Sequence, residues 1–196
     1  MKQVYNYWMP DSDNHFERLI KKRISQGGPP EYQDRIRDAA YNYITDFDLC
    51  IDVGANVGII SVFLSQKTGN AGTVHSFEPV TETYGMLTET IALNRCKNIL
   101  PHQLGLSDTQ GVAEIYTFDQ EFHTLNSLGQ VNIGGNIPTK KEEIQLDTID
   151  NFCIKNNIHK IELLKIDVEG FEDSVIKGAR NTLKNNTVRY IQFEIS

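Results

Sequence analysis

The sequence is poor in cysteine and has no excess of basic charge. Cys50, Cys96 and Cys153 lack the spacing of a metal-binding motif, and their small, odd number favours reduced thiols in a cytoplasmic protein. The net charge of −7 argues against nucleic acid as a partner, because there is no surplus of Lys and Arg to neutralise phosphates. No apolar run approaches the length of a membrane span or resembles a signal peptide, so we expect no membrane partner.

Three motifs of common enzyme classes are also missing. No G-x-x-x-x-G-K-[ST] loop occurs, and Asn56 stands where the dinucleotide motif G-x-G-x-x-G requires its middle glycine. An NAD-dependent dehydrogenase is therefore disfavoured. Residues 105–109 begin like the nucleophile elbow G-x-S-x-G but end in Thr109, so a serine hydrolase is not supported either.

What the sequence does contain is the opening unit of an α/β sheet. The chain has 196 residues, of which 39% are hydrophobic and 23% charged, and these values suit one globular domain. Residues 50–58 are typical of a short apolar strand and a tight glycine turn, and an apolar helical segment follows at Ile59. This order predicts an open, doubly wound, mostly parallel α/β sheet.

The turn has the pattern D-x-G-x-x-x-G, formed by Asp52, Gly54 and Gly58. A carboxylate at Asp52 would repel a pyrophosphate, whereas it suits a ligand that has a positive charge and no phosphate. S-adenosylmethionine, with its sulfonium and ammonium groups, is such a ligand. The alternative is an ordinary turn whose glycines are needed only for packing.

A second acidic residue strengthens the cofactor interpretation. Residues 73–77 predict the second strand, and Glu78 follows directly, 20 residues after Gly58. In sheets of this kind, an acidic residue at this place accepts hydrogen bonds from both ribose hydroxyls. A helix is predicted at 81–94 and a third strand at 99–106, which ends at Ser107 and Asp108. Asp108 is either an acceptor for the adenine amino group or a turn residue.

Charged residues also mark the end of a later strand. Residues 161–170 begin as an apolar strand, and strand periodicity would place Lys165, Asp167 and Glu169 on one face if the strand extends that far. Such charges are costly unless they are paired or face a cleft, and the carboxyl edge of an open sheet is the ligand crevice. A helix at 171–183 and a last strand at 188–195, which carries Glu194, complete the prediction.

The sequence also predicts segments that contain fewer candidate site residues. Residues 112–118 predict a strand that pairs with 143–146, and Asp147 is the expected cap of a helix that starts at Thr148. The Asn- and Gly-rich residues 123–137 predict a substrate-contacting loop. Helices at 16–25 and 31–44 suggest a division into an N-terminal helical arm, residues 1–46, and a cofactor-binding domain, residues 47–196.

Several segments occur together in a characteristic order: IDVGANVG, FEP, GLSD, LDTID and KIDVEGFE, followed by KGA and QFE. From about residue 47 to 196, the sequence resembles the FkbM family of S-adenosylmethionine-dependent methyltransferases. The resemblance implies a class I, Rossmann-like fold. It also implies methyl transfer from S-adenosylmethionine to a hydroxyl oxygen of a small molecule or glycan.

The resemblance also implies roles for individual residues. The expected cofactor contacts are Asp52, Gly54, Ala55, Asn56 and Gly58 at the methionine end, Glu78 at the ribose, Ser107 and Asp108 at the adenine, and Asp167 beside the sulfonium. Asp167 is the first candidate for the general base and Glu194 the second. Lys165 is the third expected catalytic residue. The alternative interpretation of Asp167 is a salt bridge with Lys165 that only orders the turn. A magnesium ion held by Asp167 and Glu194 is less favoured, because no third ligand is evident.

One departure from the class concerns the edge of the sheet. Class I methyltransferases normally add a strand hairpin beside the fifth strand, but here the sequence stops at Ser196, directly after that strand. An apolar edge strand at 189–194 invites pairing. We therefore expect a fragment of a longer protein, a homodimer through this edge, or cover by an N-terminal segment. The alternative function is a non-catalytic S-adenosylmethionine-binding protein or a truncated scaffold.

Overall fold

The computed structural model describes residues 2–4, 7–9, 43–117 and 140–193. This part of the chain contains ten strands and five helices. The strands are β1 (Lys2–Val4), β2 (Tyr7–Met9), β3 (Leu49–Val53), β4 (Thr73–Phe77), β5 (Ile99–His102), β6 (Gly105–Leu106), β7 (Gly111–Thr117), β8 (Lys140–Asp147), β9 (Ile161–Ile166) and β10 (Val188–Phe193). The helices are α1 (Ile59–Thr68), α2 (Thr81–Leu93), α3 (Ile149–Lys155), α4 (Glu172–Lys177) and α5 (Arg180–Lys184).

The central sheet has the order β10-β9-β3-β4-β5, and all five strands are parallel. The chain enters at β3, runs outward through β4 to β5, and then crosses to β9 on the other side of β3. The direction of winding therefore reverses between β3 and β9, and ligands of such sheets bind at the carboxyl ends of the strands at this switch point. The predicted open, doubly wound, Rossmann-like α/β fold is confirmed.

Apolar side chains cover both faces of this sheet. On one face, Cys50 and Val74 pack with Val62 and Leu64 of α1. On the other face, strand residues pack against α3 and the segment that follows β9; they include Ile51, Val53, Phe77, Leu164 and Ile166. Because neighbouring residues of a strand point to opposite faces, Asp52 points toward the α1 side.

A smaller sheet packs beside the central one. Its order is β6-β8-β7, and β7 pairs with β8 in antiparallel register, which confirms the predicted pairing of 112–118 with 143–146 for the described residues up to Thr117. Val80, Ile115 and Ile144 form its core. One Glu142 oxygen accepts a hydrogen bond from the backbone N–H of Thr81 at 2.9 Å. The small sheet is therefore fixed to the start of α2, close to Glu78.

Two predicted elements are divided in the structure. The single strand predicted at 99–106 is wrong: Leu104 N donates to His102 O at 3.0 Å, and the chain then leaves β5 to pair with β8. The single helix predicted at 171–183 is also wrong, since it breaks at Gly178. A Cβ at Gly178 would lie 1.9 Å from Ser107 O, so this glycine allows the helix break to pack against the backbone.

Two smaller predictions are also corrected. Thr148, not Asp147, caps α3, because its side chain accepts a hydrogen bond from Asn151 N at 3.0 Å. Strand β9 ends at Ile166, so strand periodicity does not extend to Glu169, whose φ of 50° is left-handed. Residues 10–42, 118–139 and 194–196 lie outside the described part of the chain. The predicted N-terminal helices up to residue 42, the 123–137 loop and Glu194 belong to these ranges.

At the edge of the central sheet, β10 exposes 41% of Ile191 and 47% of Phe193. The expected homodimer through this edge stays a prediction. The antiparallel pair of β1 and β2 had not been expected. In the described ranges, no helix is long and apolar enough to cross a membrane.

Candidate functional site

The glycine turn after β3 uses all of its own backbone donors. Each backbone N–H from residue 54 to residue 58 donates to an acceptor within the protein. The acceptors, in order, are Phe77 O for the first two donors (3.0 and 2.9 Å), Glu78 Oε2 (3.0 Å), Asn56 Oδ1 (2.8 Å) and Ala55 O (2.9 Å). Phosphate-binding loops present free N–H groups to the ligand. This turn has no such donor left, which agrees with the sequence argument against a phosphate.

The backbone conformation and the close contacts of this turn explain why residues 54 and 58 are glycine. Gly54 has a φ of +73°, and a Cβ there would lie 1.9 Å from Asp167 O. Gly58 has a φ of +91°, and a Cβ there would lie 2.6 Å from Leu87 Cδ1. Gly54 is therefore required by a backbone contact, whereas Gly58 is favoured mainly by its left-handed φ, because the atom that its Cβ would meet is the end of a side chain.

Beneath the turn lies a chain of buried polar groups. The side chain of Asp52 is fully buried, and its Oδ2 accepts a hydrogen bond from Ser61 Oγ at 2.6 Å. Ser61 Oγ in turn accepts from Ser76 Oγ at 2.8 Å. Sequence reasoning did not single out Ser61 or Ser76, for which the only signal was a polar residue on the apolar face of α1 or inside β4. This network holds the Asp52 carboxylate inside the core.

Lys165 completes the network from β9. Its Nζ lies 3.1 Å from Asp52 Oδ1, 3.1 Å from Gly54 O and 3.5 Å from Asp167 Oδ2. Burial disfavours the ammonium form, but the two carboxylates outweigh burial and raise the pKa of Lys165 above its ordinary value. A lysine that stays charged, donates a hydrogen bond to Gly54 O and forms ion pairs with two carboxylates is suited to positioning its neighbours, not to removing a proton.

Asp167 is the acidic residue of this group that reaches the crevice. Its backbone N–H donates to Val53 O at 3.1 Å, which fixes it at the carboxyl end of β3. Its side chain is 36% exposed, whereas that of Asp52 is completely buried. The two aspartates of the predicted site therefore occupy different environments, and Asp167 is the one that a ligand can touch.

Glu78 lies at the end of the neighbouring strand and bridges two backbone segments. Its Oε2 accepts from Asn56 N at 3.0 Å and its Oε1 from Val80 N at 3.1 Å. Burial raises the pKa of Glu78 from 4.5 to about 7, although both hydrogen bonds and Lys165 oppose the shift. A carboxylate oxygen can accept two hydrogen bonds, so each oxygen of Glu78 has one further acceptor position. This arrangement fits the two hydroxyls of a ribose.

The predicted adenine residues belong to a different element. Ser107 and Asp108 follow β6, which pairs with the small sheet and not with the parallel one. Ser107 is buried and its Oγ donates to Asp108 Oδ1 at 3.2 Å, while Asp108 is exposed. Their contact with an adenine stays a prediction, as does the role of Glu194.

A metal site is likewise untested. Within the described ranges, no three His, Cys, Asp or Glu side chains are grouped so that they could hold a metal ion. Glu194, the second ligand of the less favoured magnesium alternative, lies outside these ranges.

Comparisons with known proteins agree with the geometry. The chain is 29% identical over 150 residues to the hexuronic acid methyltransferase AglP of Haloferax volcanii, a match that covers 76% of this chain and 56% of that protein. It is 24% identical over 148 residues to methyltransferase 1 of Beauveria bassiana, with 68% and 59% covered. The chain thus spans little more than half the length of these curated relatives.

A solved structure and a family model complete the comparison. The crystal structure of methyltransferase FkbM from Methylobacillus flagellatus KT shares 19% identity and a TM-score of 0.47, over 72% of this chain and 31% of that chain. Residues 52–196 match the model of the methyltransferase FkbM domain. This match begins at Asp52 and includes both charged strand ends of the site. The chain therefore belongs to the family of methyltransferases that share the FkbM domain.

Proposed function

We propose that this protein binds S-adenosylmethionine and transfers its methyl group to a hydroxyl oxygen of a small molecule or glycan. One observation carries the proposal: at the switch point, a turn without free N–H donors lies between the partly exposed Asp167 and the ribose-compatible Glu78. These features together suit an adenosine ligand with positive charge and no phosphate.

The charges of the site support the same ligand. Asp52 and Asp167 carry two negative charges, Lys165 carries one positive charge, and Glu78 adds a partial negative charge near neutral pH. The crevice is therefore negative. A negative crevice attracts a sulfonium and an ammonium group and repels the phosphates of NAD or ATP.

Methyl transfer would depend on how S-adenosylmethionine and the acceptor are oriented at the carboxyl edge of the sheet. When bound, S-adenosylmethionine supplies an electrophilic methyl group. The acceptor oxygen forms a bond to the methyl carbon as the carbon–sulfur bond breaks, and the electron pair of that bond stays on sulfur. In this proposal, Asp167 would accept the hydroxyl proton. Holding the reactants in line contributes at most about 7–11 kcal/mol to the rate enhancement.

Lys165 and Asp52 would have a supporting role in this reaction. Lys165 binds Gly54 O and also contacts Asp167, so one cation ties the glycine turn to the proposed base. The buried Asp52 carboxylate balances that cation. We propose that this pair sets the distance between the two sides of the cofactor site.

A relative narrows the choice of acceptors to test. The Haloferax volcanii protein is a hexuronic acid methyltransferase by name, and its match covers 76% of this chain. We therefore propose sugars and sugar acids as the first acceptors, ahead of simple alcohols. Transfer to a hydroxyl gives an alkali-stable ether, whereas transfer to a carboxylate gives an alkali-labile ester.

Calorimetric titration tests the cofactor first. We expect saturable binding of S-adenosylmethionine and S-adenosylhomocysteine and no binding of NAD. Glu78→Gln should weaken binding of both ligands by roughly tenfold, since it removes a charged hydrogen-bond acceptor. Asp173→Asn is the matched control, because Asp173 is exposed and pairs with Lys177. Binding of NAD, or no binding by the folded wild type, would contradict the proposal.

Mass spectrometry then tests methyl transfer. The wild type is incubated with S-adenosylmethionine and a panel of sugars, sugar acids and alcohols, and the products are treated with alkali. An alkali-stable product that has gained one methyl group is expected. Binding without transfer to any acceptor would favour the non-catalytic alternative.

A further inference from the structure

The loop after β9 adopts an unusual backbone conformation. Glu169 has a φ of 50° and Gly170 a φ of 97°, so two consecutive residues lie in the left-handed region. For Glu169 this conformation costs roughly as much as one ordinary hydrogen bond contributes. The loop starts with Asp167, the side chain that reaches the crevice. Its geometry therefore requires a support within the protein.

Glu172 supplies this support from the start of α4. Its Oε1 accepts hydrogen bonds from Val168 N at 3.0 Å and from Gly170 N at 3.2 Å, and its Oε2 accepts from Gly170 N at 3.1 Å. Hydrogen bonds to a carboxylate are stronger than those between neutral groups. Glu172 thus holds both sides of the left-handed turn.

The other end of the loop is fixed independently. Asp167 N donates to Val53 O at 3.1 Å, and Asp167 O lies so close to Gly54 that no side chain fits between them. The Asp167 side chain is therefore directed by a short segment with two attachments, one at β3 and one at Glu172.

We propose that Glu172 is a positioning residue, which holds the loop so that the Asp167 carboxylate faces the cationic centre of the cofactor. The proposal rests on the proposed function, since it assigns a cationic ligand to this crevice. A simple competing explanation is that the negative charge of Glu172 itself attracts the ligand. The two explanations predict different effects of conservative variants.

Three ligands separate charge recognition from general binding. S-adenosylmethionine and sinefungin carry a positive charge at the position of the methyl donor, whereas S-adenosylhomocysteine is neutral there. Calorimetry gives the affinity ratio of charged to neutral ligand for each variant. A loss of folding or of adenosine contacts lowers all three affinities together and leaves the ratio unchanged.

Glu172→Ala should lower the ratio by about five- to tenfold, the effect of displacing one partly exposed carboxylate. Glu172→Gln should stay within about twofold of the wild type, since an amide oxygen at the Oε1 position keeps both N–H bonds and only the second contact of Gly170 N, with Oε2 at 3.1 Å, is lost. Glu172→Asp keeps the charge but shortens the side chain, so it should resemble the alanine variant. Asp173→Ala, which removes a neighbouring exposed carboxylate, should leave the ratio unchanged.

A double variant completes the test. If Glu172 acts through Asp167, then Glu172→Ala should have no further effect on the ratio in an Asp167→Asn background. Independent, additive effects would overturn the proposal, as would a glutamine variant as defective as alanine or an aspartate variant like the wild type. An unchanged affinity ratio in Glu172→Ala would also overturn the proposal. Absence of binding of all three ligands to the wild type would instead refute the proposed function.

Discussion

Replacing Gly54 with alanine tests whether the first glycine of the motif is required by the packing of the chain itself. The added Cβ would lie 1.9 Å from Asp167 O and 3.3 Å from Val168 Cγ1, at a φ of +73°. The first of these contacts is with backbone, so a change of rotamer cannot relieve it. Either the turn or the loop that carries Asp167 must move.

The expected cost follows from two contributions. A left-handed conformation costs a residue with a Cβ about 1–2 kcal/mol relative to glycine. Moving Asp167 also weakens the bond from its N–H to Val53 O, which contributes about 1 kcal/mol. We therefore expect Gly54→Ala to lower the free energy of unfolding by about 2–3 kcal/mol.

Gly85→Ala is the matched control, because it adds the same methyl group in an open place. Gly85 lies within α2, and a Cβ there would meet no atom within 4 Å. Alanine in a helix is favoured over glycine, so this variant should gain about 0.5–1 kcal/mol. The two glycine-to-alanine changes should therefore shift stability in opposite directions.

Urea denaturation followed by far-UV circular dichroism measures both variants without ligand. If Gly54→Ala unfolds at the same urea concentration as the wild type, the steric argument is wrong. If that stable variant also fails to bind S-adenosylmethionine, the glycine is needed for the ligand and not for the fold.

Two further predictions concern buried charges. Lys165→Met leaves the Asp52 carboxylate buried without its cation, so it should lower the free energy of unfolding in urea by about 3–5 kcal/mol. Adding Asp52→Asn should restore part of that loss. Unchanged stability of Lys165→Met would contradict the buried ion pair. The folded-state pKa of Glu78, about 7 against an ordinary 4.5, means that the folded protein binds more protons than the unfolded chain between these values. Relative to Glu78→Gln, the wild type should therefore lose stability as pH rises from about 5 to 8, by roughly 3 kcal/mol in total. Equal pH dependence of the two proteins would refute this assignment. Burial lowers the pKa of His75 to about 4, which has the opposite effect on stability as pH rises, but this contribution is the same in both proteins and cancels.

The sequence was informative where structure depends on neighbouring residues. Strands β3 and β4 and helix α1 lie where apolar runs and flanking glycines placed them, because strand periodicity and glycine turns are local signals. The position of Glu78 at the end of β4 could be predicted for the same reason. These elements surround the switch point, so the central part of the fold could be derived from the sequence.

Sequence reasoning failed where a distant contact decides the backbone. The helix break at Gly178 packs against the distant Ser107 O, where no Cβ would fit, and Gly105 pairs with Leu146 of β8 instead of extending β5. No local pattern near residues 105 or 178 contains this information. A glycine inside an apolar helical pattern was the only hint at Gly178.

The candidate site shows the same division between local and distant information. Charges at the end of β9 predicted that a partner or a cleft was needed, and Lys165 has both Asp52 and Asp167 as partners. The sequence could not show that Asp52 is the deeper of the two aspartates. It also gave no indication of Ser61, which binds Asp52 from α1, since this contact depends on how the helix packs on the sheet.

This difference in depth decides which variants can report on cofactor binding. Asp52 is fully buried and balances Lys165, so its removal leaves a buried cation with one fewer partner and disturbs the fold along with any ligand site. Asp167 is partly exposed, so a conservative change there alters ligand contacts with less damage to the core. Glu78→Gln is less suitable, because both oxygens of the buried Glu78 accept backbone N–H bonds and an amide keeps only one acceptor oxygen. Loss of binding in an Asp52 variant would therefore be ambiguous. Loss of binding in Asp167→Asn, with unchanged unfolding, would identify Asp167 as a residue that contacts the ligand.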